Sequence, residues 1–301
     1  MPAAVEANKL RNRGVTIILD TFDYVMIGAG SAGCVLANRL SKDPGIKVCV
    51  LEAGPSDWNP FIHIPVGWMK LMTNPAFNWL YETEPSETIG GRTIAIPRGK
   101  TLGGSSSING CIFNRGTPED FDHWAQRGNR GWSYDDVLPH FKSLETFQGN
   151  DPDGLRGRDG PIRVTPSDWQ HPLVDAFIAG AETMGISRNS DYNGMRQEGA
   201  SYTQRTIANG RRESAAKAFL TPVRNRANLD VRTHAHASTV TSHVRRASTP
   251  HTRLRRCATE RAIPRGVFPV QVKSVEPHSR SHNLRIPDTN EHRWMWQNPF
   301  L

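Results

Sequence analysis

The chain has 301 residues, 37% hydrophobic and 22% charged, enough for one large globular domain or two smaller ones. No stretch approaches the roughly 20 apolar residues of a membrane span, and the four cysteines have no CxxC spacing, so a reduced, cytoplasmic protein is expected. The net charge of +8 is unevenly placed: residues 1–237 hold 26 Lys/Arg and 25 Asp/Glu, whereas residues 238–301 hold 11 and 4. The basicity therefore belongs to the tail and gives the main body no reason to bind nucleic acid.

Residues 1–20 carry Glu6, Lys9, Arg11, Arg13 and Asp20, and their longest apolar run, 15–19, is interrupted by Thr16. That is too short for a signal peptide, and a disordered or loosely docked leader is expected. Residues 22–27 then predict a buried parallel strand, and residues 32–40 a helix with Val35, Leu36 and Leu40 at helical spacing. The turn between them reads Gly28-Ala29-Gly30-Ser31-Ala32-Gly33. In such a turn Gly28 permits the bend, Gly30 lets backbone approach a pyrophosphate, and Gly33 allows helix to pack closely on strand. The helix start offers free N–H groups and a positive dipole end to phosphates. A second strand over 47–51 ends in Glu52, 19 residues beyond Gly33, where an acid meets ribose hydroxyls. Strand, turn, helix and acid together predict a dinucleotide site, which a nicotinamide dehydrogenase would share.

Residues 55–97, rich in Pro, Trp and Asn, read as an irregular insertion into this fold. Ser133 is a good N-cap for a helix over 134–141, and residues 172–184 predict an amphipathic helix; the polar stretch 151–160 between them reads as a turn-rich loop. Residues 213–226 predict a helix broken near Pro222, and 228–237 alternate as one strand. His234 and His236 would share a face of that strand, a weak pointer to metal, and a packed or solvated face is the plainer reading. After Ser238 periodicity is lost and Pro recurs at 250, 264, 269, 277 and 287, so an irregular, solvated tail is expected over 238–301.

A second glycine-rich segment, Pro97-Arg98-Gly99-Lys100-Thr101-Leu102-Gly103-Gly104-Ser105-Ser106-Ser107-Ile108-Asn109-Gly110, separates flavin from nicotinamide. A flavin needs a flat slot beside backbone donors, and Gly103 and Gly104 bring backbone where any Cβ would clash. Together with DYVMIGAGSAGCVLANRLS, VLEAG, NWLYETEP, DFDHWA and GWSYDDVLPHF, this segment resembles the glucose–methanol–choline (GMC) oxidoreductases, FAD enzymes that include choline and alcohol dehydrogenases. The resemblance covers residues 21–237. It implies an α/β protein: a Rossmann-like FAD-binding domain with part of an α+β substrate-binding domain, incomplete at its C-terminal end.

By the same resemblance the FAD contacts fall on Gly28, Gly30, Ser31, Ala32, Gly33, Glu52, Arg98, Gly103, Gly104, Ser105, Asn109, Gly110 and Ala237. Some members attach FAD through a histidine where this chain has Ile108, so the flavin is expected to be held noncovalently. In the family an alcohol, choline or another, gives hydride to flavin N5 while a histidine takes the hydroxyl proton. That histidine lies in an HPxGTCxMG-like segment, which is missing, as is a GAINSPQLL-like one. No catalytic residue is therefore assigned, and the alternative is a noncatalytic flavin-binding fragment. A doubly wound sheet without its later strands would leave an apolar edge and poor solubility. The resemblance, the charge balance and the periodicity all change within a few residues of Ser238, which is the pattern expected if the tail is read out of the ancestral frame.

Overall fold

The computed structural model describes residues 11–12, 15–16, 21–240 and 270–274. Three parallel strands organise its first half: β1 (Tyr24–Ile27), β2 (Val48–Leu51) and, after a long excursion, β3 (Leu229–Arg232), in the order β3-β2-β1. Helix α1 (Ser31–Leu40) crosses from β1 to β2, as the glycine turn and the apolar spacing predict. Its buried residues are Gly33, Cys34 and Ala37. Small side chains on that face let α1 lie between the sheet and a short π-helical turn, Ala216–Leu220, whose Phe219 and Leu220 fill the same core as Met26, Val48 and Val50. Burial pushes the Cys34 thiol up to about 12, which leaves it protonated and unreactive in the folded chain. Asn228, just before β3, donates to the carbonyls of Ser41, Asp43 and Ile46 and so ties the end of α1 to the third strand.

Four local expectations are corrected. Among the described residues the strand expected to be buried is the edge of the sheet: Met26 packs with α1, but Val25 and Ile27 are exposed because pleating turns them to the other face. Leu36 of α1 is exposed as well, the buried face being the one defined by Gly33 and Ala37. The helix expected over 213–226 is confined to Ala216–Leu220 and gives way to turns before Pro222, whose ring cannot continue it. The single strand expected over 228–237 is two. His234 takes φ +54 and its N–H donates to Gly54 O, so the chain leaves the parallel sheet there and starts β4 (Ala235–Val240). β4 runs through the expected 237/238 boundary and pairs antiparallel with Val270–Ser274, a strand inside the segment read as lacking periodicity.

The excursion between β2 and β3 holds the second half. The insertion over 55–97 is indeed short pieces, among them Pro60–His63 and a hairpin of Tyr81–Glu82 with Ala95–Ile96. Helix α2 (Pro118–Gln126), which the sequence reading did not anticipate, opens with a capping box between Thr117 and Asp120. Helix α3 (Tyr134–Leu144) opens with the same device between Ser133 and Asp136. Strands β5 (Glu145–Phe147) and β6 (Ile162–Val164) pair in parallel. Helix α4 (Pro172–Thr183) buries Ile178 and Ala181 but exposes Leu173 and Phe177, so its apolar residues lie on two faces. The chain is thus an α/β protein with the glycine turn at the carboxyl end of its parallel sheet.

Candidate functional site

The two glycine segments, far apart in sequence, meet in space. Gly28 closes the first turn at φ +93, and its N–H donates to Leu51 O at 2.7 Å, which fixes the turn to the end of β2. A Cβ on Gly33 would stand 2.0 Å from Gly28 O, so α1 could not approach the turn with any other residue there. Gly103 N–H donates to Ala29 O at 2.7 Å, and Gly104, at φ +53, lies so close that its Cβ would be 2.8 Å from Gly30 Cα. The opposite side of the turn is free: a Cβ on Gly30 would meet nothing within 4 Å.

Helix α1 starts at Ser31 with Gly30 as N-cap, no capping side chain and no acid in its first turn. Its first N–H groups and its positive dipole end are left for an anion. Ser31 and Ala32 occupy that first turn, Ser31 partly buried and Ala32 exposed.

Hydrogen bonds from neighbouring loops hold the second segment rigid. Asn78 Oδ1 accepts from Arg98 N at 2.9 Å and Leu80 N at 3.1 Å, and Ser105 Oγ accepts from Gly99 N at 3.1 Å. Ser106 accepts from Ala215 N at 2.9 Å and donates to Gly103 O at 2.6 Å, while Ser107 donates to Leu102 O at 2.7 Å. Ser106 and Ser107 therefore carry the fold. Ile108 packs into a core with Ile62 and Leu71. Asn109 is partly buried, Gly110 is exposed, and a Cβ on Gly110 would again meet open space. Arg98 enters through its backbone, its guanidinium donating to its neighbour Pro97 O at 2.8 Å on the surface.

Glu52 is only 5% exposed and turns inward. Its Oε2 accepts from Ala29 N at 2.8 Å and its Oε1 from Gly54 N at 2.9 Å, so the carboxylate clips the glycine turn to the loop after β2. Burial raises its pKa, against those N–H donors and the nearby Lys100. Each oxygen keeps a second lone pair. Ala237 lies on β4, two residues past Ala235, whose N–H bonds Glu52 O, and it packs with Leu51 and Phe22. The His236 ring lies tilted against Trp79 with centroids 5.6 Å apart, and His234 sits in the bend, so the two share no strand face. Among the described residues no group of three His, Cys, Asp or Glu could hold a metal. Cys34, Cys49 and Cys111 are buried, and Cys34 and Cys111 are free thiols; Cys257 lies outside the described residues.

Bare helix donors, open space over Gly30 and Gly110, and two glycine turns in contact suit an extended ligand that carries phosphates at one end. The sequence reading missed the buried Arg212, whose place behind Asn109 no motif announces. Its sequence neighbour Arg211 is exposed, so residue type alone does not tell the two apart.

Residues 22–259 match the GMC oxidoreductase family, and the chain belongs to it. It is 45% identical over 226 residues to an alcohol dehydrogenase [acceptor] of Pseudomonas putida, covering 75% of this chain and 41% of that one. It is 46% identical over 207 residues to an oxygen-dependent choline dehydrogenase of Rhizobium etli, covering 69% and 38%. Among solved structures it is similar to pyridoxine 4-oxidase from Mesorbium loti, with TM-score 0.68, 36% identity and coverage of 72% of this chain and 43% of that one. An FAD-dependent oxidoreductase from Chaetomium thermophilum gives TM-score 0.67, 27% identity and coverage of 74% and 40%. The chain thus spans about two fifths of the length of the curated relatives it matches. No helix among the described residues is long and apolar enough to cross a membrane.

Proposed function

We propose that this chain is the FAD-holding part of an oxidoreductase that acts on CH–OH groups of a small alcohol, choline or another. The observation that carries the reading is the contact between the glycine turns, Gly103 N to Ala29 O at 2.7 Å, with open space beside Gly30 and Gly110. Gly28, Gly30, Ser31, Ala32 and Gly33 would hold the pyrophosphate, with Glu52 and Ala237 toward the ADP half. Arg98, Gly103, Gly104, Ser105, Asn109 and Gly110 would lie toward the flavin ring. When bound, FAD supplies the two-electron acceptor that no side chain can provide. Ile108 supports noncovalent binding, since it offers no nucleophile and is buried among Ile62 and Leu71. A cytoplasmic setting agrees with the free thiols of Cys34 and Cys111.

A second reading is a flavin-binding piece without turnover, since no catalytic residue is assigned from the sequence. Purified protein is expected to be yellow or to take up added FAD, to release it on acid or heat treatment, and to show no tight NADH binding. A colourless chain that ignores FAD would overturn the cofactor reading, and rapid oxidation of choline or a simple alcohol with an artificial acceptor would overturn the second.

A further inference from the structure

Arg212 is 1% exposed, and among the described residues no carboxylate pairs with it; the titratable group that faces it is the buried thiol of Cys111. Burial lowers its pKa, yet a guanidinium keeps its proton in proteins. Its Nε donates to Ile62 O at 2.7 Å, its Nη1 to Asn109 Oδ1 at 2.6 Å and to Ser106 O at 3.3 Å, and its Nη2 has no acceptor. A buried cation left partly unsatisfied is costly to keep, so its position calls for a use.

Asn109 supplies that use. Its Oδ1 accepts from Arg212 Nη1 and, at 3.1 Å, from Cys111 N, which occupies both lone pairs. Its Nδ2 donates to no acceptor among the described residues. Flipping the amide would set an NH2 group against two N–H donors, so one orientation is enforced. Beyond Asn109 the chain opens at Gly110, where a Cβ would meet nothing within 4 Å.

We propose that Arg212 is a positioning residue: it locks the Asn109 amide with its two N–H groups outward, so that this position presents only donors to a bound flavin. This rests on the FAD reading above. The charge on Arg212 also polarises the amide it holds, which strengthens the outward donors. An oxidised flavin ring carries carbonyl oxygens and ring nitrogens that accept such bonds, and a donor-only position distinguishes it from a ligand that must itself donate.

The test uses the full chain and two readouts, thermal melting without FAD and FAD titration by fluorescence. Asn109→Asp is nearly isosteric, gives Arg212 a full counter-charge and removes the outward N–H pair. It is expected to melt at or above the wild-type temperature while binding FAD at least tenfold more weakly. In the R212M background the same Asn109→Asp change is expected to lower the melting temperature, because the new carboxylate is then buried without a partner. Wild-type affinity for FAD in N109D, or a melting temperature several degrees below wild type, would overturn the proposal. Should R212M fail to fold, N109D alone still separates the two readouts. If the wild-type chain binds no FAD, the cofactor reading falls and the flavin role with it. The lock between Arg212 and Asn109 is then judged by whether the effect of N109D on melting reverses sign between the two backgrounds.

Discussion

Gly104→Ala is expected to melt well below the wild-type chain and to lose FAD binding at the same time. Two costs combine at this position. The backbone sits at φ +53, where an L side chain is strained, and a Cβ would be 2.8 Å from Gly30 Cα, a backbone atom that cannot rotate away. Left-handed strain costs about 1–2 kcal/mol and overpacking about 1–3, so a loss of about 2–5 kcal/mol is expected. At roughly 2–4 °C per kcal/mol for a chain of this size class, that is about 4–20 °C in melting temperature. Parting Gly104 from Gly30 would also separate the two turns that are proposed to flank the cofactor. Gly110→Ala is the control: a Cβ there meets open space, so melting should be unchanged and any effect should fall on FAD alone. Equal melting and equal FAD affinity for G104A and the wild type would refute the packing argument.

The same contact shows what a sequence can and cannot announce. The glycine turns were legible because their constraint is local: Gly28 must bend, Gly33 must admit Gly28 O at 2.0 Å, and no other residue type can do either. Ser133 was legible as an N-cap for a similar reason, since capping is a local device, whereas its partner Asp136 and the same box at Thr117 and Asp120 went unread. Exposure was not legible either. Val25 and Ile27 look like core residues because they are apolar and β-branched, and only the tertiary packing shows that their face of the sheet is exposed among the described residues. His234 broke an alternating pattern by taking φ +54, which its residue type does not forbid and its hydrogen bond to Gly54 O rewards. Of the candidate site residues, those that act by having no side chain were the easiest to find. Arg212, whose role would depend on being buried behind Asn109, had no local signature at all.

Glu145→Ala is expected to have the largest effect on stability, because one buried carboxylate neutralises two buried guanidiniums. Glu145 at the start of β5 bonds Arg115, accepts from Arg156 Nε and Nη2 at 2.9 Å each, and accepts from Gly157 N at 2.9 Å. The side chains of Glu145, Arg115 and Arg156 are 1%, 2% and 0% exposed. Arg156 continues to Asp191 at 2.8 Å and Gln204 at 2.9 Å, and its guanidinium lies 3.6 Å from the centre of the Phe147 ring. Burial draws the pKa of both arginines down. For Arg156 the hydrogen bonds and charge of Glu145, with Asp191, outweigh that pull, whereas for Arg115 they do not. Removing the carboxylate strands both cations, and breaking a buried pair in this way costs about 3–5 kcal/mol. Glu145→Gln keeps the volume and one acceptor and should fall between alanine and wild type in a urea titration. Arg115 precedes α2 and Arg156 lies between β5 and β6, and both are tied to the segment over 191–204, so their release would loosen the second half before the parallel sheet. Hydrogen exchange is therefore expected to rise first around residues 145–164 and 191–205 in E145A, with β2 and α1 protected longest. A loss below about 1 kcal/mol, or uniform exchange across both halves, would mean that water already reaches these charges and that the network does not hold the second half together.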